Sequence, residues 1–226
     1  MFSRLPSERF RQRIAISLGA FVAVIGALVI YGWFDDVDEL KRIIPGDAPM
    51  KPITALGFIL LGCSLWLTGR PDTRSEKARI SLDQILVVGA GFIGLATLRE
   101  YALDIRTGID TWLFPDSAGA ATASSMRMTK MAAINFILSG VALLSGKSGT
   151  RIRQGISLAG NLAVLSIALL ALLGYLGGSW TPFSFPSSAG MSLHTALLFV
   201  VLALAGLLAS HRRLEECRDT SWRSWP

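Results

Sequence analysis

The apolar residues of this 226-residue chain are gathered into six runs, at about 14–34, 51–69, 81–103, 129–146, 154–178 and 191–210, separated by short segments that hold most of the charge. At a rise of 1.5 Å per residue, each run is long enough for a hydrocarbon layer of roughly 30 Å. Backbone polar groups within lipid must be satisfied internally, and for segments without strand alternation that means helices. The pattern therefore predicts an all-α, polytopic membrane protein with six transmembrane helices. Composition agrees, since 51% of residues are hydrophobic and only 17% charged, far from the balance of a soluble domain.

The basic residues set an orientation. Arg4, Arg9, Arg11 and Arg13 precede the first run, and the segments 70–80, 147–153 and 211–226 hold four, three and four more Lys or Arg. With the N-terminus inside, these segments carry 15 of the 22 Lys and Arg, as the positive-inside rule requires. Both termini are then expected in the cytoplasm. The first run is too long for a signal-peptide core, and YGWFDDVDEL after it does not resemble a cleavage site, so it reads as a retained helix. The organisation predicted is a basic segment 1–13, a membrane domain 14–210 and a cytoplasmic tail 211–226. The net charge of +6 follows from this topology and leaves no basic face for nucleic acid.

An internal repeat divides the membrane domain. Residues 191–199, MSLHTALLF, and residues 50–58, MKPITALGF, share M-x-x-x-T-A-L-x-F, and residues 128–136, MTKMAAINF, keep Met, Ala and Phe. Small residues Gly62, Gly140 and Ala203 follow four positions after each Phe, on the same helical face. The preceding segments FPDSAG (114–119) and FPSSAG (185–190) differ at one position. Agreement on both sides of the methionine predicts three copies of one helical hairpin, at about 14–69, 81–146 and 154–210. The helix-opening element is Met50, Thr54 and Phe58; Met128 and Phe136; and Met191, Thr195 and Phe199.

Residues able to carry chemistry are few. The sequence shows no nucleophile with a partnered base, no H-E-x-x-H and no phosphate loop. Gly89 to Gly94 spells G-x-G-x-x-G, but inside an apolar run, where it serves helix packing. Cys63 and Cys217 are too few for a disulfide framework or a metal site. The two histidines, His194 and His211, fall at opposite membrane faces, so a haem held by both is excluded, and ligation of haem or copper through methionine is weaker than ordinary packing. No catalytic residue, metal or cofactor is expected. The candidates for sensing or binding a ligand are His194, Arg99, Glu100, Tyr101 and Lys130. Ionisable residues inside a spanning segment are costly and usually pair or face a polar interior, and Arg127 would extend that pocket. Asp83 is expected to pair with Arg79 or Lys77. Tyr31, Tyr101 and Tyr175 fall one per repeat near the outer boundary, where aromatic rings anchor.

IDTWLFPD (109–116) followed by the fourth run, and FPSSAGMSLHTALLF (185–199), resemble the six-helix N-terminal membrane input region of bacterial sensor histidine kinases and some diguanylate cyclases. The fourth run departs from that pattern, with Met126-Arg127-Met128 where the family has Gly-Arg-Met. The resemblance implies a non-enzymatic sensory or regulatory module that passes a stimulus through its sixth helix and the tail to a partner. SHRRLEECRDTSWRSWP begins like a signalling helix, and no phosphoacceptor or cyclase segment follows it in the sequence. The partners expected are the lipid bilayer and either a second copy of the chain or a signalling protein. Two other readings stand beside this one. The chain could be a structural subunit of a larger inner-membrane complex, packing through small faces such as Ala90/Gly94 and Gly155/Ala159, or, as a third choice, a small transporter.

Overall fold

The computed structural model describes residues 8–44, 48–68, 76–105, 108, 127–147, 150–177 and 191–222; for 8–9, 76–81 and 211–222 only the backbone is considered. Among the described residues there are seven helices and no strand: α1 (Glu8–Phe34), α2 (Asp38–Lys41), α3 (Pro52–Thr68), α4 (Glu76–Leu103), α5 (Lys130–Gly146), α6 (Arg151–Gly177) and α7 (Leu193–Trp222). Four of them contain stretches long and apolar enough to cross a membrane: Phe10–Phe34, Leu82–Leu103, Arg151–Tyr175 and Leu193–Ser210. The other two apolar helices, α3 and α5, have 17 residues each, about 25 Å of length. Every apolar run becomes a helix. Four bounds move outward: α1 begins at Glu8 and takes in three of the N-terminal arginines, α4 begins at Glu76, α6 at Arg151, and α7 continues well past residue 210.

The helices form two layers. α3, α5 and α7 touch one another at the centre, while α1 packs on α3 and α7, α4 on α3 and α5, and α6 on α5 and α7. The sequence accounts for this division. α3 buries residues on nearly every side, from Pro52 to Leu65, whereas α1, α4 and α6 leave Phe21, Val24, Ile85, Phe92, Leu169 and Leu173 exposed. Apolar surface on both the buried and the exposed side suits a lipid surrounding and not water. Close backbone approach depends on glycine where α1 meets α3. A Cβ added to Gly62 would lie 2.6 Å from the Gly19 carbonyl oxygen and 2.9 Å from Ala23 Cβ, closer than side chains pack.

On the axis between the inner helices lie three phenylalanines. Phe58, Phe136 and Phe199 are fully buried, with ring centroids 4.6–5.1 Å apart and planes tilted by 57–64°, the inclined geometry that aromatic quadrupoles favour. Gly57 makes room for them, since a Cβ there would fall 2.6 Å from the Phe136 ring. Seven to ten residues further along each inner helix the axis is lined by Leu65 and Thr68, Leu143 and Gly146, and Gly206 and Ala209. Equal offsets from the rings mean that the three inner helices run parallel. Because these later positions are mostly small, the axis opens there into a cavity of about 50 Å³. The bundle thus has a methionine end, where Met50, Met128 and Met191 are buried, and a tail end, from which α7 extends.

One polar group on the inner helices breaks the pattern. Asn135 is fully buried and neither its Oδ1 nor its Nδ2 has a hydrogen-bond partner among the described residues. Counting from each methionine, the same position holds Gly57 and Leu198. An unsatisfied buried amide costs about 1–3 kcal/mol, so Asn135→Leu is expected to raise the unfolding midpoint of the purified protein. A fall would mean that the amide is satisfied in the folded protein.

Candidate functional site

At the methionine end an aromatic side chain lies beside each inner helix, joined by charged side chains at α3 and α5. α4 closes with Asp104 in the left-handed region, φ 52°, and the Ile105 N–H donates to the Glu100 carbonyl, a helix end that Asp tolerates because its short polar side chain offsets the steric cost. This turn presents Glu100 and Tyr101 to the start of α5. Glu100 is buried, with Arg127 Nε 3.4 Å from its Oε2. The Arg127 guanidinium lies 3.9 Å from the centroid of the Tyr101 ring, Lys130 Nζ 4.9 Å from it, and the Tyr101 hydroxyl donates to the Met128 carbonyl at 3.1 Å. Two cations against one aromatic ring, with a buried carboxylate beside them, make a compact cation–π and ion-pair cluster.

The candidates drawn from sequence therefore separate. Glu100, Tyr101 and Lys130 come together, and Arg127 pairs with Glu100. Arg99 is exposed on the other side of α4. His194 is half-buried in the first turn of α7 and takes no part in these contacts. Of the helix-opening residues, Met50, Met128, Met191, Thr54, Thr195 and the three phenylalanines are all buried, which gives them packing roles. Thr195 also shares a hydrogen bond of 2.8 Å with Ser192. The Tyr101 bond is worth about 1 kcal/mol, the typical net value for such a bond. Tyr101→Phe, which keeps the ring under Arg127, is expected to lower chemical-denaturation stability by that amount, and an unchanged midpoint would show the bond to be immaterial.

The corresponding contact at α1 is made by a tryptophan. Trp33 Nε1 donates to the Met50 carbonyl at 2.8 Å, while Tyr31 is exposed. Lys41 is buried, its Nζ 5.1 Å from the Trp33 ring centroid, paired with Asp36 and 3.6 Å from Asp38. Here too the helix ends on a left-handed aspartate, Asp36 with φ 56°, and Val37 N–H donates to Gly32 O. The hydrogen bond and charge of Lys41 hold the Asp36 carboxyl below the usual carboxylate range. A depressed folded value gives stability that is present above the unfolded pKa of about 3.9 and lost as pH falls through the folded one. The stability difference between wild type and Asp36→Asn should accordingly be full at neutral pH and close below about pH 4; a difference independent of pH would exclude the carboxylate as its source.

At α6 and α7, Tyr175 donates to the Met191 carbonyl at 2.9 Å. The loops 109–126 and 178–190, where FPDSAG and FPSSAG fall, lie outside the described residues.

The tail end holds a second polar network. Asp83 of α4 is buried, accepts from Ser64 Oγ of α3 and forms an ion pair with Lys147, which follows α5. Sequence reasoning paired this aspartate with Arg79 or Lys77, because a neighbour along the helix is the only partner that sequence offers. Ser210 of α7 donates to Gly206 O at 2.8 Å and shares a 2.8 Å hydrogen bond with Ser157 of α6; Asn161 Nδ2 donates to Ser157 O at 2.9 Å. The face Ala90/Gly94 is internal. Ala90 is buried, and Gly94 lies against the Ala133 carbonyl and Phe136, which removes it as a surface for another protein, whereas Gly155 and Ala159 are exposed on α6. Among the described residues no three His, Cys, Asp or Glu side chains are grouped as metal ligands would be.

Comparison with protein-family models, curated proteins and solved structures gives no match.

Proposed function

We propose that this chain is a membrane-embedded sensory or regulatory module without catalytic activity of its own, which passes a stimulus to a partner through α7. The observation that carries the reading is the continuity of α7. It is one helix of 30 residues from Leu193 to Trp222, about 45 Å long, with Phe199 on the central axis and Ser210 in the tail-end network. A displacement of α7 within the bundle is therefore carried without a break into its charged extension. The reading needs two arrangements of α7 with unequal preference for the stimulus.

In this proposal six helices cross the bacterial inner membrane as three copies of one hairpin, with both termini in the cytoplasm. Three features recur at matching positions and support the repeat: an aromatic donor to each methionine carbonyl, from Trp33, Tyr101 and Tyr175; a left-handed aspartate three residues after the first two of those aromatics, where the third segment has Gly178; and the central phenylalanine of each inner helix. The resemblance to kinase and cyclase input regions points the same way. The test is to fuse residues 1–216 to a kinase that lacks its own input. Output that changes with conditions, and that changes at His194 or Glu100 alter, is the expected result; output constant throughout defeats the proposal.

A further inference from the structure

The hydroxyl groups around the tail-end cavity have all spent their protons inside the protein. Ser64 donates to Asp83, Thr68 to Leu65 O at 2.9 Å, and Ser210 to Gly206 O. A hydroxyl carries one proton, so in the 2.8 Å pair of Ser157 and Ser210 it is Ser157 that donates. What these side chains have left for the cavity is oxygen lone pairs. α3 and α5 also end here, at Thr68 and Gly146, and the C-terminal carbonyls of a helix carry the negative end of its dipole. With the Asp83 carboxylate just behind the wall, in contact with Ser64 and Lys147, these groups make the cavity a host for positive charge. Lys147, one residue beyond α5, supplies that charge. Its Nζ pairs with Asp83 and its side chain lines the cavity.

We infer that the tail end of the bundle is a small-cation site, built on the Asp83 carboxylate and opening into the cavity walled by Ser64, Ser157 and Ser210, in which the Lys147 ammonium, paired with Asp83, is a tethered occupant. The ligand class that the site takes is a monovalent ammonium or a small primary amine. Size sets the limit. The free space beside Lys147 is about 50 Å³, against roughly 10–15 Å³ of such space needed to hold one water molecule, so ammonium and methylammonium fit once the lysine side chain is gone, and tetramethylammonium, with four methyl groups and no N–H donor, cannot replace the ammonium's contact with Asp83. The α7 residues Gly206, Ala209 and Ser210 form one wall, which places the occupant beside the point where α7 leaves the bundle. The inference stands independently of the sensory proposal.

The experiment is chemical rescue of the full chain purified in detergent. Lys147→Ala should unfold at a lower temperature than wild type in sodium chloride, and ammonium or methylammonium chloride at equal ionic strength should restore most of the loss. Tetramethylammonium should not, and neither wild type nor the Asp83→Asn/Lys147→Ala double variant should respond to any of the salts. Absence of rescue by both small cations, equal rescue by all salts, or rescue of the double variant overturns the inference. If Lys147→Ala gives no folded protein in sodium chloride, the yield of folded protein extracted in methylammonium chloride becomes the readout, and no recovery there is again an overturning result. In wild type, Lys147 should react with methyl acetimidate several-fold more slowly than the exposed Lys130, and equal rates overturn the placement of its ammonium in the site.

Discussion

Phe136→Ala is expected to destabilise the purified protein by about 3–5 kcal/mol, the range for removing a buried aromatic side chain from a packed core. Phe136 is fully buried, its centroid is 5.1 Å from that of Phe58 and 4.9 Å from that of Phe199, and it also fills the space left by Gly57. Its loss removes one of three mutually touching rings and leaves a cavity on the axis. The surroundings have little freedom to close it, because α5 is itself held against α4 where Gly94 meets Ala133 and Phe136. Phe136→Leu should recover part of the loss by refilling some of the volume, and Phe92→Ala, on the exposed side of α4, should change stability little. The measurement is unfolding in a detergent titration followed by tryptophan fluorescence. A loss under about 1 kcal/mol for Phe136→Ala, far below the range for buried aromatics, would show that the three rings are not the packing centre of the bundle.

The same residues show what could be read before the structure. The six apolar runs mark six helices to within a few residues at most ends, because burial in lipid or in the bundle demands unbroken apolar sequence. The recurrence of Met, Ala and Phe marked the inner helices, where Ala55, Ala133 and Ala196 are all fully buried. Partner choice was not legible. Trp33 and Tyr31 are two residues apart, hence about 200° around the helix, and only the packing of α1 decides which faces Met50. Glu100 had several cations within reach along the chain, and the turn after α4 selects Arg127. Nothing in the sequence marks the Asn135 amide as unsatisfied. Asp83 and Lys147 are 64 positions apart, and they meet because α4 and α5 are antiparallel neighbours and the second follows the first through a long connection.

That pair gives the second large effect. Asp83→Asn is expected to cost about 3 kcal/mol, toward the lower end of the range for breaking a buried ion pair, since the Lys147 side chain keeps 19% of its exposure while that of Asp83 keeps 5%. The cost does not measure an attraction that the pair adds to the fold. It comes from leaving an ammonium in a place of low dielectric without its carboxylate, and from loss of the charge-assisted bond that Ser64 makes to Asp83. A double-mutant cycle separates these. Lys147→Met removes the stranded charge, so Asp83→Asn/Lys147→Met should be more stable than Asp83→Asn alone and well above the sum of the two single losses. Additive losses would mean that the two groups do not interact in the folded protein, and that the tail end is held by the serine contacts between α6 and α7 instead. Recovery in the double variant would identify the ion pair as a device that fixes the relative position of α4 and the end of α5 while adding little net stability, since paired charges and paired neutral groups are then nearly equivalent.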